Sequence, residues 1–249
     1  MPTGELFATV GTYPVKPDDW LRVLLLRSDD RGLSWHYVST VMGRSNPHDL
    51  KGFDNECDLT VCPNGDLLAL ARTERTKPLR LLVQSRSSDG GKSWSDPVPC
   101  PGVPGVLWPF HSGNVSPSLC NLNNGVMAVA YGRPAGLMVA FNSGGPGDAW
   151  EPLSLIGSLR EGLLEQHYGL MSTSDLTIPG NLGMLYAHRH HVPRIVVTGP
   201  GSFLLAYDLA NYSPFVVEDD ERKDLVAPDP DYPARNSIFV IPITVRKRA

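Results

Sequence analysis

The 249-residue sequence lacks any long hydrophobic run. No stretch approaches the roughly 20 consecutive apolar residues that a membrane-spanning helix requires, so a transmembrane segment is not expected. The first residues also lack the basic region and the apolar segment of a signal peptide. The compartment therefore stays open: the sequence as written is compatible with a cytoplasmic protein, and a truncated amino terminus with a secreted one.

A strong excess of one charge is also absent. The 22 Lys and Arg residues nearly balance the 26 Asp and Glu residues, which leaves a formal net charge of −4 at pH 7. A chain without a basic excess has little electrostatic attraction for nucleic acid or for an anionic membrane surface. We therefore expect neither of them as the main partner.

Cysteine is scarce, with four residues at positions 57, 62, 100 and 120. The first two are too loosely spaced for a zinc knuckle, and no second pair follows them. Buried free thiols are the expected state of these side chains. Neighbouring histidines at positions 188, 190 and 191 seldom converge on one ion, and no carboxylate stands at ligand spacing from them. Neither a metal nor a cofactor is predicted.

No segment of the sequence shows a convincing helical period of 3.6 residues. The chain instead consists of short apolar runs separated by turn residues, with 24 Gly and 23 Pro in total. Short apolar runs bounded by Gly, Pro and Asn are typical of strands, and Asn64-Gly65 and Asn124-Gly125 are favourable hairpin turns. The sequence therefore predicts an all-β protein.

An eight-residue pattern, Ser-x-Asp-x-Gly-x-Ser-Trp, occurs at residues 28–35 and again at residues 87–94. A weaker copy at residues 143–150 keeps the first Ser, the Gly and the Trp but loses the Asp. Ser and Asp side chains can close a tight turn by hydrogen bonding to nearby amides, and Trp supplies a large surface to bury. The three copies start 59 and 56 residues apart (87 − 28 and 143 − 87). Repetition at this period predicts a repeat architecture with units of about four strands.

Four repeats can be aligned on an apolar strand that follows a Gly turn, at residues 4–45, 55–98, 114–155 and 172–246. The first repeat lacks its innermost strand. In the fourth, residues 174–178 and 180–187 are expected as the first two strands, 194–198 and 203–206 as outer strands, and 237–245 as a closing strand. The predicted architecture is a single β-propeller domain over residues 1–249, built from radial blades of four antiparallel strands.

Blade geometry predicts which residues share one rim of the propeller. Residues at the starts of first strands and at the ends of second strands lie at the same end of the blades. Two of them, Arg72 and Arg133, end second strands in successive repeats, and converging guanidinium groups suit a carboxylate-bearing ligand. The candidate site residues on this rim are Asp18, Asp19, Glu56, Arg72, His111, Arg133, Tyr168 and residues 188–191.

The octapeptide is the Asp-box, and the chain resembles the sialidase (neuraminidase) superfamily of six-bladed propellers. Glu56 and Arg72 have the spacing of the family's catalytic Glu and of one arginine in its carboxylate-binding triad, and Arg133 resembles a further triad arginine. The resemblance implies retaining hydrolysis of a terminal sialic acid on a glycoconjugate. Asp18 or Asp19 would serve as the acid/base, and Tyr168 or a residue within 172–176 would be the nucleophile. The family's Arg-Ile-Pro motif is absent.

Two other functions remain open from the sequence. A polysaccharide lyase acting on a uronate-containing glycan would use His111 or Tyr168 as the base and the arginines to neutralise the carboxylate. A non-catalytic carbohydrate-binding propeller would need only the binding surface, where Trp108 is a candidate stacking platform and His111 a lining residue. A carbohydrate is the expected partner in all three.

Overall fold

The computed structural model describes residues 4–12, 22–43, 53–73, 79–80, 82–103, 106–107, 115–132, 138–144, 147–154, 193–211 and 235–246. Every regular element in these ranges is a β-strand, as the sequence predicts. The strands are β1 (Leu6–Thr12), β2 (Arg22–Ser28), β3 (His36–Met42), β4 (Phe53–Val61), β5 (Leu67–Thr73), β6 (Leu79–Arg80), β7 (Leu82–Ser87), β8 (Val98–Pro99), β9 (Val106–Leu107), β10 (Val115–Asn121), β11 (Met127–Gly132), β12 (Met138–Asn142), β13 (Glu151–Ser154), β14 (Arg194–Gly199), β15 (Ser202–Asn211) and β16 (Arg235–Thr244).

The strands form antiparallel sheets in which most neighbours in space are also consecutive in sequence. Blade I has the order β1-β2-β3, blade II β4-β5-β7-β8, blade III β10-β11-β12-β13 and blade IV β14-β15-β16. The two short strands β6 and β9 pair with each other in a separate two-stranded sheet. The β4–β5 and β10–β11 turns contain Gly65 and Gly125, both at positive φ, where a side chain would be strained. The predicted fold of propeller blades is confirmed.

The first described strands of consecutive blades contact one another. Strand β4 contacts both β1 and β10, and β10 in turn contacts β14. In blade II the strand that leads into an Asp-box is the third one, β7, whereas in blade I it is the second described strand, β2. Strand β1 therefore occupies the position that β5 has in blade II.

Blade IV differs from the sequence-based arrangement. Strand β14 was expected to be an outer strand, but it lies beside β10 as the first described strand of its blade. The turn after it is closed by Gly201, whose N–H donates to the Leu122 carbonyl while its own carbonyl accepts from the Val245 N–H. The first of these bonds joins blade IV to blade III, and local sequence carries no signal for it. The segments 174–178 and 180–187 lie outside the described residues.

The hydrophobic core is divided among the junctions between consecutive blades. The I–II junction includes Leu25 and Ala69, the II–III junction Leu70 and Met127, and the III–IV junction Val139 and Phe203. Blades II and III thus bury their two faces against different neighbours, as sheets packed face to face do. The four cysteines form no disulfide, and burial raises the pKa of Cys62 to about 11.

Each complete Asp-box is a turn closed by its own side chains. The Ser87 hydroxyl donates to Asp89 Oδ1 at 2.7 Å and accepts the Gly91 N–H at 2.8 Å. The Asp89 carboxylate also accepts the Ser93 hydroxyl at 2.6 Å and the Ser93 N–H at 3.0 Å. Residues 28–34 repeat the same bonds. All four partners lie within one octapeptide, so the box forms wherever its sequence occurs.

The third box begins one residue earlier than the sequence pattern indicates. Asn142 lies opposite Met127 in the sheet, as Ser87 lies opposite Leu67. The Gly147 N–H donates to Asn142 Oδ1 at 3.2 Å, which is the role that the Ser hydroxyl has in the complete boxes. The Asn142 amide donates to Asp148 Oδ1 at 3.0 Å. Asn142, rather than Ser143, therefore organises this turn.

The Trp of a box ties its blade to the preceding one. Trp94 Nε1 donates to the Ser39 hydroxyl of blade I at 3.0 Å, and Trp150 Nε1 donates to Gln84 Oε1 of blade II at 3.1 Å. Trp150 is only 2% exposed. Trp35, by contrast, is 41% exposed and donates to the Gly32 carbonyl of its own box.

We predict that Trp150→Phe destabilises the protein by about 1–3 kcal/mol, because Gln84 Oε1 loses its donor inside a buried junction. Trp35→Phe is the matched control and should change the free energy of unfolding by less than about 0.5 kcal/mol, because its site is partly exposed. Urea unfolding of the two variants measures the difference. Equal effects would contradict a tethering role for the buried indole.

The boxes also predict a response to acid. Hydrogen bonds from the Ser34 hydroxyl, the Ser34 N–H and the Ser28 hydroxyl lower the pKa of Asp30 to about 2. A carboxylate whose pKa is lowered by folding contributes stability above its unfolded pKa, and this contribution is lost as pH falls through the folded pKa. Asp30→Asn should therefore flatten the fall in melting temperature between pH 5 and pH 2. An unchanged acid profile would contradict this assignment.

Candidate functional site

Two of the predicted site residues, Glu56 and Arg72, lie in the described part of the chain. Asp18, Asp19, Trp108, His111, Arg133, Tyr168 and residues 188–191 lie outside the described residues. The geometry of the site can therefore be built around Glu56 and Arg72, which belong to the same β-hairpin of blade II.

The hairpin brings these two side chains into contact. Arg72 is on β5, and Glu56 is on β4 inside a register shift between Phe53 and Cys57. Arg72 Nη1 lies 2.9 Å from Glu56 Oε2, with the two side chains 4% and 29% exposed respectively. Removing one partner of a buried ion pair leaves an uncompensated charge, so the two side chains stabilise each other here. Arg72 therefore directs its charge at Glu56 within the protein.

A third group at this site comes from blade III. The backbone N–H of Ser116 donates to the same oxygen, Glu56 Oε2, at 2.7 Å. Ser116 has φ of 48°, in the left-handed region that non-glycine residues rarely adopt, and it lies in a register shift of β10 between Val115 and Ser118. The neighbouring strands β4 and β10 thus both have a register shift, and Glu56 of β4 hydrogen bonds to the shifted part of β10.

Sequence reasoning missed Ser116, although one signal was present. Pro117 follows it, and Pro has no N–H to donate to a strand ladder, so Pro inside a sheet is confined to edges and bulges. A Pro in the first strand of a repeat therefore indicated an irregular start to that strand. The acceptor of the displaced amide belongs to the neighbouring blade, so the sequence alone does not identify it.

One level further along β4, Asp58 forms a second link between blades. Its carboxylate accepts the Leu119 N–H of β10 at 2.7 Å and the Leu59 N–H at 2.8 Å. Burial raises the pKa of Asp58, an effect that the hydrogen bonds from these amides and the charge of Arg194 oppose. At the corresponding place in blade III, the Ser118 hydroxyl accepts the Ile195 N–H of β14 at 3.1 Å. Asp58 therefore braces adjacent inner strands.

The chemistry available here is that of a partly exposed carboxylate held from within the protein. A positioned Glu can transfer a proton or act as a nucleophile. Within the described ranges, no three His, Cys, Asp or Glu side chains are grouped as metal ligands would be. The same ranges contain no helix long and apolar enough to cross a membrane.

Residues 2–207 match the family model described as the BNR repeat-like domain. The chain belongs to the BNR repeat-like family. The match includes the two complete Asp-boxes, the displaced third box and the Glu56–Arg72 hairpin of this BNR repeat-like protein. Among curated proteins, no sequence matches it significantly.

Solved structures with the same fold include several carbohydrate-active enzymes. The GH93 α-L-arabinofuranosidase of Fusarium graminearum, in complex with arabinobiose, matches 96% of this chain and 58% of its own at a TM-score of 0.61 and 12% identity. The α-L-arabinanase of Penicillium chrysogenum, also in complex with arabinobiose, matches 95% of this chain and 64% of its own, at a TM-score of 0.56 and 16% identity. A Dyadobacter fermentans protein of unknown function matches 97% of this chain and 50% of its own, at a TM-score of 0.58 and 16% identity.

These likenesses concern the fold. The BNR repeat-like chain spans between half and two-thirds of the length of the three structures. At such identities, the positions of individual site residues do not transfer from one protein to another.

We predict that Asp58→Ala lowers the free energy of unfolding by about 1–3 kcal/mol, because the buried Leu119 N–H loses its acceptor. Asp58→Ser should recover part of the loss, since a Ser performs this role at position 118 of the next blade. Urea unfolding at pH 7 measures both variants. A Ser variant no more stable than the Ala variant would contradict the brace.

Proposed function

We propose that this BNR repeat-like protein is a glycoside hydrolase in which Glu56 supplies a reacting carboxylate. The observation that carries the proposal is the setting of Glu56. Its carboxylate lies at a strand irregularity, is held by Arg72 and by the Ser116 N–H, and keeps 29% of its side chain exposed. Bulges are over-represented next to active sites, where they direct a side chain away from the regular ladder.

An arabinose-containing glycan is the substrate class that we propose first. Arg72 is nearly buried and shares its charge with Glu56, so it has little surface left for a substrate carboxylate. An uncharged sugar does not need such a partner. The resemblance in fold to an arabinofuranosidase and an arabinanase, each in complex with arabinobiose, supports the same choice.

A terminal sialic acid is the second candidate. It is supported by the Asp-box resemblance, by the spacing of Glu56 and Arg72, and by Arg133, which follows the second strand of blade III. In this reading Arg133 would meet the carboxylate of the substrate, while Arg72 would position Glu56. Asp18, Asp19 and Tyr168 remain the predicted candidates for the second reacting group in either case, with Trp108 and His111 as predicted contacts to the sugar.

Glycoside hydrolysis needs one group that protonates the leaving oxygen and a second that attacks or activates water. Glu56 can fill either role, because its second oxygen, Oε1, has no hydrogen-bond partner within the described ranges. Because Arg72 is nearly buried, its low-dielectric surroundings strengthen the attraction between its guanidinium and Glu56 Oε2.

We predict that the wild-type protein releases 4-methylumbelliferone from its α-L-arabinofuranoside faster than from its sialic acid conjugate. Glu56→Gln should lower kcat/KM at least about 100-fold, the usual effect of removing a general acid or base. Glu151→Gln, at an exposed position on β13, is the matched control and should leave turnover unchanged.

Other outcomes decide between the remaining functions. Faster turnover of the sialic acid conjugate would favour the second candidate. A folded protein that binds arabinan oligosaccharides but hydrolyses neither probe would be a carbohydrate-binding propeller. Release of a product with a new double bond, absorbing in the near ultraviolet, from a uronate-containing glycan would identify a lyase.

A further inference from the structure

The two described contacts of Glu56 converge on one of its carboxylate oxygens. Arg72 Nη1 lies 2.9 Å from Oε2, and the Ser116 N–H donates to Oε2 with a separation of 2.7 Å. Within the described ranges Oε1 has no hydrogen-bond partner. A free carboxylate has two equivalent oxygens, so this arrangement makes them different before any ligand arrives.

The donor on Ser116 is available because of the local backbone. At φ of 48° the residue is in a sparsely populated conformation, and it is 9% exposed. Such strain persists only where the surrounding structure enforces it, and it is concentrated at functional sites. Here the register shift beside Pro117 leaves the Ser116 N–H out of the ladder with β11. The amide is thereby directed at the neighbouring blade, where it meets Glu56.

We propose that Ser116 is a positioning residue, whose backbone N–H and the Arg72 guanidinium together hold Glu56 Oε2 so that Oε1 is the oxygen that meets the sugar. The inference rests on the proposed hydrolase function. Its physical basis is preorganisation: a Glu side chain restrained before the substrate binds does not have to be ordered during the reaction. A hydrogen bond and an ion pair on one oxygen restrain both the position and the rotation of the carboxylate.

A simpler role for the same bond is structural bracing. Asp58 and Ser118 each accept a backbone N–H from the next inner strand, and both act as braces. Glu56 differs from them because it also pairs with a buried arginine and leaves one oxygen uncommitted. A brace affects only stability, whereas a positioning group also affects the reaction rate of the folded protein. Measuring the stability and the reaction rate separately therefore distinguishes bracing from positioning.

The kinetic test replaces Ser116 by its α-hydroxy acid analogue, which converts the amide into an ester: an oxygen takes the place of the N–H, and the Val115 carbonyl becomes a weaker acceptor. We expect kcat on the hydrolysed methylumbelliferyl glycoside to fall at least tenfold, with KM changed less than about threefold, because the bond orders a reacting group. The same replacement at Leu119 is the control: it removes the N–H that Asp58 accepts, and it should lower stability while retaining kcat within about twofold. A Ser116 ester that unfolds more easily but keeps its kcat would overturn the proposal.

A second measurement does not depend on turnover. Hydrogen exchange of the Ser116 amide, followed by NMR, should accelerate at least tenfold in Glu56→Ala. The Leu119 amide, held by Asp58, should exchange at its wild-type rate in the same variant. Unchanged exchange at Ser116 would overturn the positioning role even if the enzyme is active. Absence of turnover on both glycosides, with the expected exchange, would instead count against the hydrolase function.

Discussion

The structure depends on side-chain acceptors of one inner strand that bind backbone amides of the next inner strand. Asp58 accepts from Leu119 between blades II and III, and Ser118 accepts from Ile195 between blades III and IV. An inner strand has a sheet partner on one side only, so its remaining amides need acceptors from elsewhere. Supplying these acceptors from the adjacent blade satisfies the amides and sets the distance between blades.

The apolar packing and the Asp-boxes reinforce the same junctions at a greater radius. Residues such as Leu70 and Val139 fill the space between sheets, and the indole N–H groups of Trp94 and Trp150 bond to polar side chains of the preceding blade. The boxes are thus more than closed turns. The junction between blades II and III combines the Asp58 link, an apolar cluster and the Trp150 bond, so the relative orientation of these two blades is defined at three places.

The Glu56 site uses the arrangement that otherwise serves for bracing. Its carboxylate reaches across to an amide of β10, as that of Asp58 does, but the irregular starts of β4 and β10 leave it partly exposed and beside Arg72. A group anchored to two blades is held rigidly without occupying its whole hydrogen-bonding capacity. This explains physically how a stable junction between blades can present a partly exposed carboxylate.

The sequence by itself determined the features whose interactions are local. The Asp-boxes at residues 28–35 and 87–94 close within eight residues, the Gly65 and Gly125 turns define their hairpins, and Glu56 meets Arg72 because both belong to one hairpin. The tertiary structure alone decided the rest. Ser116 is 60 residues from Glu56, β14 is placed by its contact with β10, and Asn142 replaces Ser143 because sheet register selects it. These features arise from contacts between strands and blades, which short-range patterns in a sequence do not encode.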